Sequence, residues 1–234
     1  MIKMQLTGAF DAGGWQWDGH RWTSGRSWIE PFTHPAIEHV MVTTPESGQS
    51  CLIVREAASD RQPVTMSRRV MSSSGYRRQV EEADAWPLQA VRVEMAAGQG
   101  VRITCGERGV APLYLRPTSG QLTVSWDVLD LAPGADDLDA REVAAMLAYR
   151  TRYSTATVFR TIRHLTERST AAWDHTTGLS IGYPAQALHS RPASCTPTPI
   201  PWPRSATCCG ARSQPVRCPP TAARWSCPAA WTAP

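Results

Sequence analysis

No apolar run in this chain approaches the roughly 18 residues that a membrane-crossing helix needs. The N-terminus, "MIKMQL", lacks the basic-then-apolar pattern of a secretion signal. These absences predict a cytoplasmic chain with no membrane partner. Charged residues are few, at 19% of the 234 residues. The last fifty residues contain no acidic side chain and no lysine at all. Their five arginines outweigh the whole net charge of +4, so residues 1–184 stand at −1. Those arginines are spread out, and no nucleic-acid fold signature precedes them. The basic pI is therefore not read as a nucleic-acid footprint.

What is present falls into two regimes that part near "GLSIGYPAQALHSRP". Residues 185–234 hold ten of the nineteen prolines and five of the seven cysteines. Proline at that density removes backbone donors and blocks helix and sheet. No apolar periodicity survives there, so the tail is expected to be disordered. Cys195, Cys208, Cys209, Cys218 and Cys227 raise the question of a metal. Zinc sites space their paired cysteines two to four residues apart, which these do not. A disulfide scaffold would want an oxidising compartment. The palette of Pro, Arg, Ala, Ser, Thr, Cys and Trp matches out-of-frame translation of GC-rich DNA. We expect a frameshifted end rather than a native linker. Reading the other frames past codon 184 separates the two.

In residues 1–184, "GWQWDGHRWTSG" carries a hairpin signal. Trp15 and Trp17 alternate with polar neighbours, Asp18-Gly19 supplies the turn, and His20-Arg21-Trp22 returns. The tryptophans, with Trp28 and Phe32 following, are expected to pack across strands. The competing reading is an exposed aromatic platform for a peptide or sugar. Strands are predicted over Ile37 to Thr43 and Cys51 to Arg55, joined by a Pro-Glu-Ser-Gly turn. Ser67 to Ala85 reads as polar and at best weakly helical. "LQAVRVEM", "GVRITCG", "PLYLRP" and "QLTVSWD" read as one antiparallel meander. "LDAREVAAMLAYRTRY" reads as a helix capped by Asp139, with Glu142 in reach. Val143, Met146, Leu147 and Arg150 would share its face. His34 and His39 have no metal spacing. "SSSGYRR", Ser72 to Arg78, lacks the second glycine and the Lys-Ser/Thr of a phosphate loop and reads as a polar loop.

From Val101 to about Tyr183 the chain resembles the end of the N-terminal domain of asparagine-synthetase-like proteins. "RGVAPLYL" resembles the family's Gly-Val-Lys-Pro-Leu-Tyr-Tyr stretch, and "GQLTVSWDVLDL" its next strand. "LDAREVAAMLAYR" is similar to its Leu-Asp-x-x-Ala-Leu-x-x-Tyr-Leu helix. "TATVFRTIRHLTERSTAAWDHTTGLSIGYP" is similar to its Thr-x-Phe-x-Gly-Ile-x-x-Leu-x-Pro-Gly segment. The resemblance implies an α+β fold, an Ntn-hydrolase-like antiparallel β-sandwich with flanking helices, over residues 1–184. It also implies a parent that uses ATP and Mg to adenylate a carboxylate, then forms an amide with ammonia released from glutamine.

The departures matter as much. The family's nucleophile is a cysteine directly after the initiator methionine, with its own α-amine as base. Here that position is Ile2, whose bulk prevents methionine removal. Cys105-Gly106 stands where the family has Arg-Asp, and Ala111 replaces its lysine. Cys51 and Cys105 fall within predicted strands and read as small buried hydrophobes. No Ser-Gly-Gly-x-Asp-Ser pyrophosphate loop occurs in the chain. We therefore expect no catalytic, cofactor-binding or metal residue here. The reading is a non-catalytic, truncated piece of an ATP-dependent amide-forming enzyme. Its partners would be a second copy or a separate synthetase chain. The alternative is a binding module built on the Trp-rich hairpin.

Overall fold

The computed structural model describes residues 1–8, 14–58, 67–96, 98, 100–108, 112–148 and 154–184. The chain divides into units Met1–Arg191 and Pro192–Pro234, and every described residue lies in the first. Residues 185–234, with the expected disorder and the five tail cysteines, lie outside the described residues, as do Ala111 and Arg150.

Strand β1 (Ile2–Thr7) alternates without a break: Ile2, Met4 and Leu6 are buried, while Lys3, Gln5 and Thr7 are not. That period of two places one face inward. β2 (Gln16–Trp17), β3 (Trp22–Ser24) and β4 (Ser27–Pro31) follow as short antiparallel strands. β5 (Ile37–Thr44) and β6 (Gln49–Glu56) form the long hairpin. The turn between them places Gly48 at a φ of 61°, which glycine adopts without a Cβ clash. β7 (Ser67–Val70) then runs parallel to β5.

Helix α1 (Ser73–Asp84) is a full element of 12 residues. This corrects the reading of Ser67 to Ala85 as polar and weakly helical, and of Ser72 to Arg78 as a loop. The Ser72 hydroxyl caps it by accepting from the Gly75 N–H. Tyr76 and Ala83 pack with Val42, Cys51 and Ile53 on the outer face of the sheet. Helices with little intrinsic preference form where tertiary packing holds one face.

β8 (Ala90–Ala96) and β9 (Gly100–Cys105) pair with each other, as do β10 (Leu113–Thr118) and β11 (Gln121–Ser125). The expected single meander is corrected here: the two hairpins lie in different sheets. The chain crosses over between Cys105 and Leu113. Helix α2 (Ala140–Leu147) is capped as expected: the Asp139 carboxylate accepts from the Arg141 and Glu142 N–H groups. None of its residues is buried, and Met146 and Leu147 are exposed. β12 (Arg163–Leu165), β13 (Thr170–Asp174) and β14 (Gly178–Gly182) complete the fold.

One seven-stranded sheet runs β12-β10-β11-β1-β4-β3-β2, the other β14-β13-β9-β8-β6-β5-β7. A single apolar cluster draws on both. Ile2, Met4, Ile29, Leu115 and Val124 come from the first sheet, and Leu52, Val93, Ile103 and Trp173 from the second. The two sheets thus face each other across one core, and α1 covers part of the outer side of the second. This is an α+β, sheet-rich fold. Each large side chain fully buried there contributes about 1.5–3 kcal/mol relative to exposure. Close approach is tightest at Gly100, where a Cβ would stand 2.4 Å from the Trp173 carbonyl oxygen.

Candidate functional site

The resemblance directs attention to the start of β1. Ile2 is fully buried in the inter-sheet core, opposite Pro31 of β4. Its side chain has the place of a packing residue. The Met1 carbonyl accepts from the Phe32 N–H at 2.8 Å, which ties the chain start to the end of β4. Burial pushes the Met1 α-amine down to about 5, with the Cys105 thiol within electrostatic reach. Cys105 itself is 3% exposed, and burial pushes its thiol up to about 12. The start of β1 and the end of β9 both contribute to the inter-sheet core, although they are far apart in sequence. A neutral amine beside a protonated, enclosed thiol is not an activated nucleophile, which requires the thiolate.

Cys51 lies on the other side of the same sheet, under α1, and burial raises its thiol as well. Both described cysteines are free and buried, as expected of small hydrophobes.

The tryptophans settle largely as core. Trp15 is 0% exposed and Trp22 is 1% exposed. Trp17 is partly buried and packs on both Trp22 and His39, with ring centroids 5.4 and 4.9 Å apart. The hairpin turn is held by Asp18, whose carboxylate accepts from the His20 and Arg21 N–H groups at 2.9 Å. His39 is buried and accepts from the Trp22 indole, and burial pushes its imidazole below the ordinary range. His34 is exposed and stacks on Phe32. Exposed aromatic surface thus lies elsewhere, at Phe32 and Trp126, whose rings meet edge to face at 5.9 Å. Lys3 sits over Trp126 and pairs with Asp130 at 2.9 Å.

Sequence reasoning missed one polar cluster. Arg92 of β8 points away from the core and is largely covered. It pairs with Asp84 of α1 at 2.7 Å and with Glu94 at 3.3 Å. It also donates to the Val80 carbonyl and the Thr104 hydroxyl, while its Nε is buried with no hydrogen-bond partner. The alternation in "AVRVEM" was the available signal, since it sets Arg92 and Glu94 on the face opposite Val91 and Val93. A groove of about 490 Å³ opens beside the cluster, lined in part by Asp84, Thr104, Gly106, Glu107 and Arg168. With two carboxylates on one guanidinium, the Arg92 charge is answered and the cluster is left with one net negative charge. Its evident effect is to pin the end of α1 to β8.

Among the described residues, no three His, Cys, Asp or Glu side chains gather as a metal would require. No described helix is long and apolar enough to cross a membrane. No protein-family model matches the chain, and no curated protein matches it.

Proposed function

We propose that residues 1–184 are a glutaminase-type domain of the asparagine-synthetase-like class that has no glutaminase chemistry of its own. The domain is an Ntn-hydrolase-like sandwich serving an ATP-dependent amide-forming enzyme as a structural unit. Amide formation itself belongs to a synthetase domain or a separate synthetase chain. The sequence carries no Ser-Gly-Gly-x-Asp-Ser loop, and among the described residues no three His, Cys, Asp or Glu side chains gather. No step is therefore assigned to ATP or Mg here.

One observation carries this reading. The place where the resemblance puts the family's nucleophile, directly after the initiator methionine, is held by a fully buried Ile2. Ile2 and Cys105 both lie in the inter-sheet core. Of the strands that carry the resemblance, β11 pairs with β1 and β10 lies beyond it. Two facing, largely antiparallel sheets are compatible with such a frame, and Ile2 and Cys105 are buried within it. Burial of Trp15 and Trp22 leaves the hairpin little face for stacking a ligand, which weighs against the binding-module alternative.

The test is glutamine hydrolysis by the purified chain. We expect no ammonia above a boiled control. Ammonia release that disappears in Cys105→Ala would overturn the proposal.

A further inference from the structure

Helix α1 covers only part of the outer side of the second sheet, and a groove of about 380 Å³ opens beside it. Strand alternation builds the floor. Val93, Val101, Ile103 and Trp173 turn to the core, so Glu94, Arg102, Ala172 and Asp174 turn outward. Glu94 lies opposite Arg102, and Arg102 opposite Ala172. Asp174, two residues further along β13, is a diagonal neighbour of Arg102, at about 7–8 Å by strand geometry. Ala96, Gly100 and Ala172 keep the space between the charged side chains open.

Two polar groups in this groove are unanswered. Tyr76 of α1 lines it and is 8% exposed, and its hydroxyl has no hydrogen-bond partner among the described residues. Burial keeps the phenol protonated, so it can donate. The Arg102 guanidinium has neither an ion pair nor a hydrogen bond among the described residues, because Glu94, which stands opposite, pairs with Arg92 instead. An enclosed hydroxyl without a partner costs free energy, and a guanidinium fork matches a carboxylate. On the side away from α1, the Asp174 carboxylate accepts from the Thr176 and Thr177 N–H groups, which hold it in place. The lining carboxylates, Glu94 and Asp174, outnumber Arg102. A bare anion would be repelled there, whereas a ligand that also carries a cation is balanced.

We propose that this groove binds a small zwitterionic amino-carboxylate. Its carboxylate takes the Arg102 guanidinium and the Tyr76 hydroxyl, its ammonium takes the Asp174 carboxylate, and its carbon chain lies over Ala96 and Ala172. The groove is on the outer face of the second sheet and Ile2 is in the inter-sheet core, so the inference does not depend on the amide-synthetase reading.

The experiment titrates the full chain with glycine, β-alanine and γ-aminobutyrate in saturation-transfer NMR. Propionate and propylamine serve as probes that carry one charge only. At least one amino-carboxylate should bind at millimolar concentration, about tenfold or more tighter than either single-charge probe. Arg102→Ala removes an exposed side chain and should weaken that binding about tenfold or more. Tyr76→Phe keeps the packing under α1 and should weaken it as well. Asp174→Asn keeps an acceptor for the turn and should erase the preference over propionate. Leu147→Ala, on α2, should leave binding unchanged. No binding of any of the three, single-charge probes that bind as tightly, or an affinity indifferent to Arg102→Ala and Tyr76→Phe would overturn the proposal.

Discussion

The Trp22 indole Nε1 donates to Nδ1 of His39 across 3.4 Å, and this bond joins β3 of one sheet to β5 of the other. A protonated imidazole cannot accept there. Burial lowers the His39 pKa, and that of His164 moves the same way for the same reason. An unfolded chain takes up these protons near pH 6.5, where the folded chain does not. The unfolded state then binds more protons, so stability is full above about pH 6.5 and falls as pH drops below it. Each such histidine adds at most about 1.4 kcal/mol per pH unit to that fall. Denaturant melts between pH 7 and 5.5 should show the loss. His39→Gln keeps an acceptor for Trp22 and should flatten the slope. An unchanged slope in that variant would remove His39 as a cause.

Cys51 and Cys105 should resist alkylation in the native chain. Both are buried and their thiols are shifted upward, which leaves almost no thiolate at pH 8. Peptide mapping after brief iodoacetamide treatment should find both unmodified, and both modified once the chain is unfolded. Fast native labelling at Cys105 would mean that its corner is open to reagent.

Trp22→Ala should cost about 3–5 kcal/mol, because it empties a fully enclosed site in the core. Leu147→Ala on α2 should stay within about 0.5 kcal/mol, since that side chain is 75% exposed. Urea titrations of the two variants give the comparison. Equal losses would contradict the burial pattern.

Calorimetry with Mg-ATP should register no stoichiometric complex. Phosphate recognition needs backbone N–H groups converging on an anion. The sequence "SSSGYRR" instead spends its first residues on the cap and opening turn of α1. A micromolar complex with one nucleotide per chain would show that the phosphates are held by some other means.

How legible this fold was depended on how local each cause is. The β5–β6 hairpin, the Asp18 turn and the Asp139 cap are set by neighbours in sequence, and the sequence alone indicates them. β1 carries an unbroken alternation of Ile2, Met4 and Leu6 that went unread. α1 was missed because its body is polar. Tyr76, Val80 and Ala83 at helical spacing are its only apolar face, and Val42, Cys51 and Ile53 complete it from distant strands. The split of the expected meander was invisible for a related reason: nothing in the two hairpins states which sheet each will join. At the candidate site, the burial of Cys51 and Cys105 was readable from their place within predicted strands. The pairing of Arg92 with Asp84 exists only in three dimensions.

The place of β1 has a consequence for the order of assembly. Its partners are β4, close behind it, and β11, where Met4 lies opposite Val124. During synthesis the first strand leaves the ribosome with one of its two edges unmet. That edge stays open until more than half of the described chain has followed. The β5–β6 hairpin of the second sheet also pairs before β11 arrives. Pairing so distant in sequence is slow because loop-closure entropy is lost before contacts repay it. The apolar residues Ile2, Met4 and Leu6 meanwhile face water. The apolar edge of β1 that β11 covers is thus the part of the first sheet that stays uncovered longest as the chain is made.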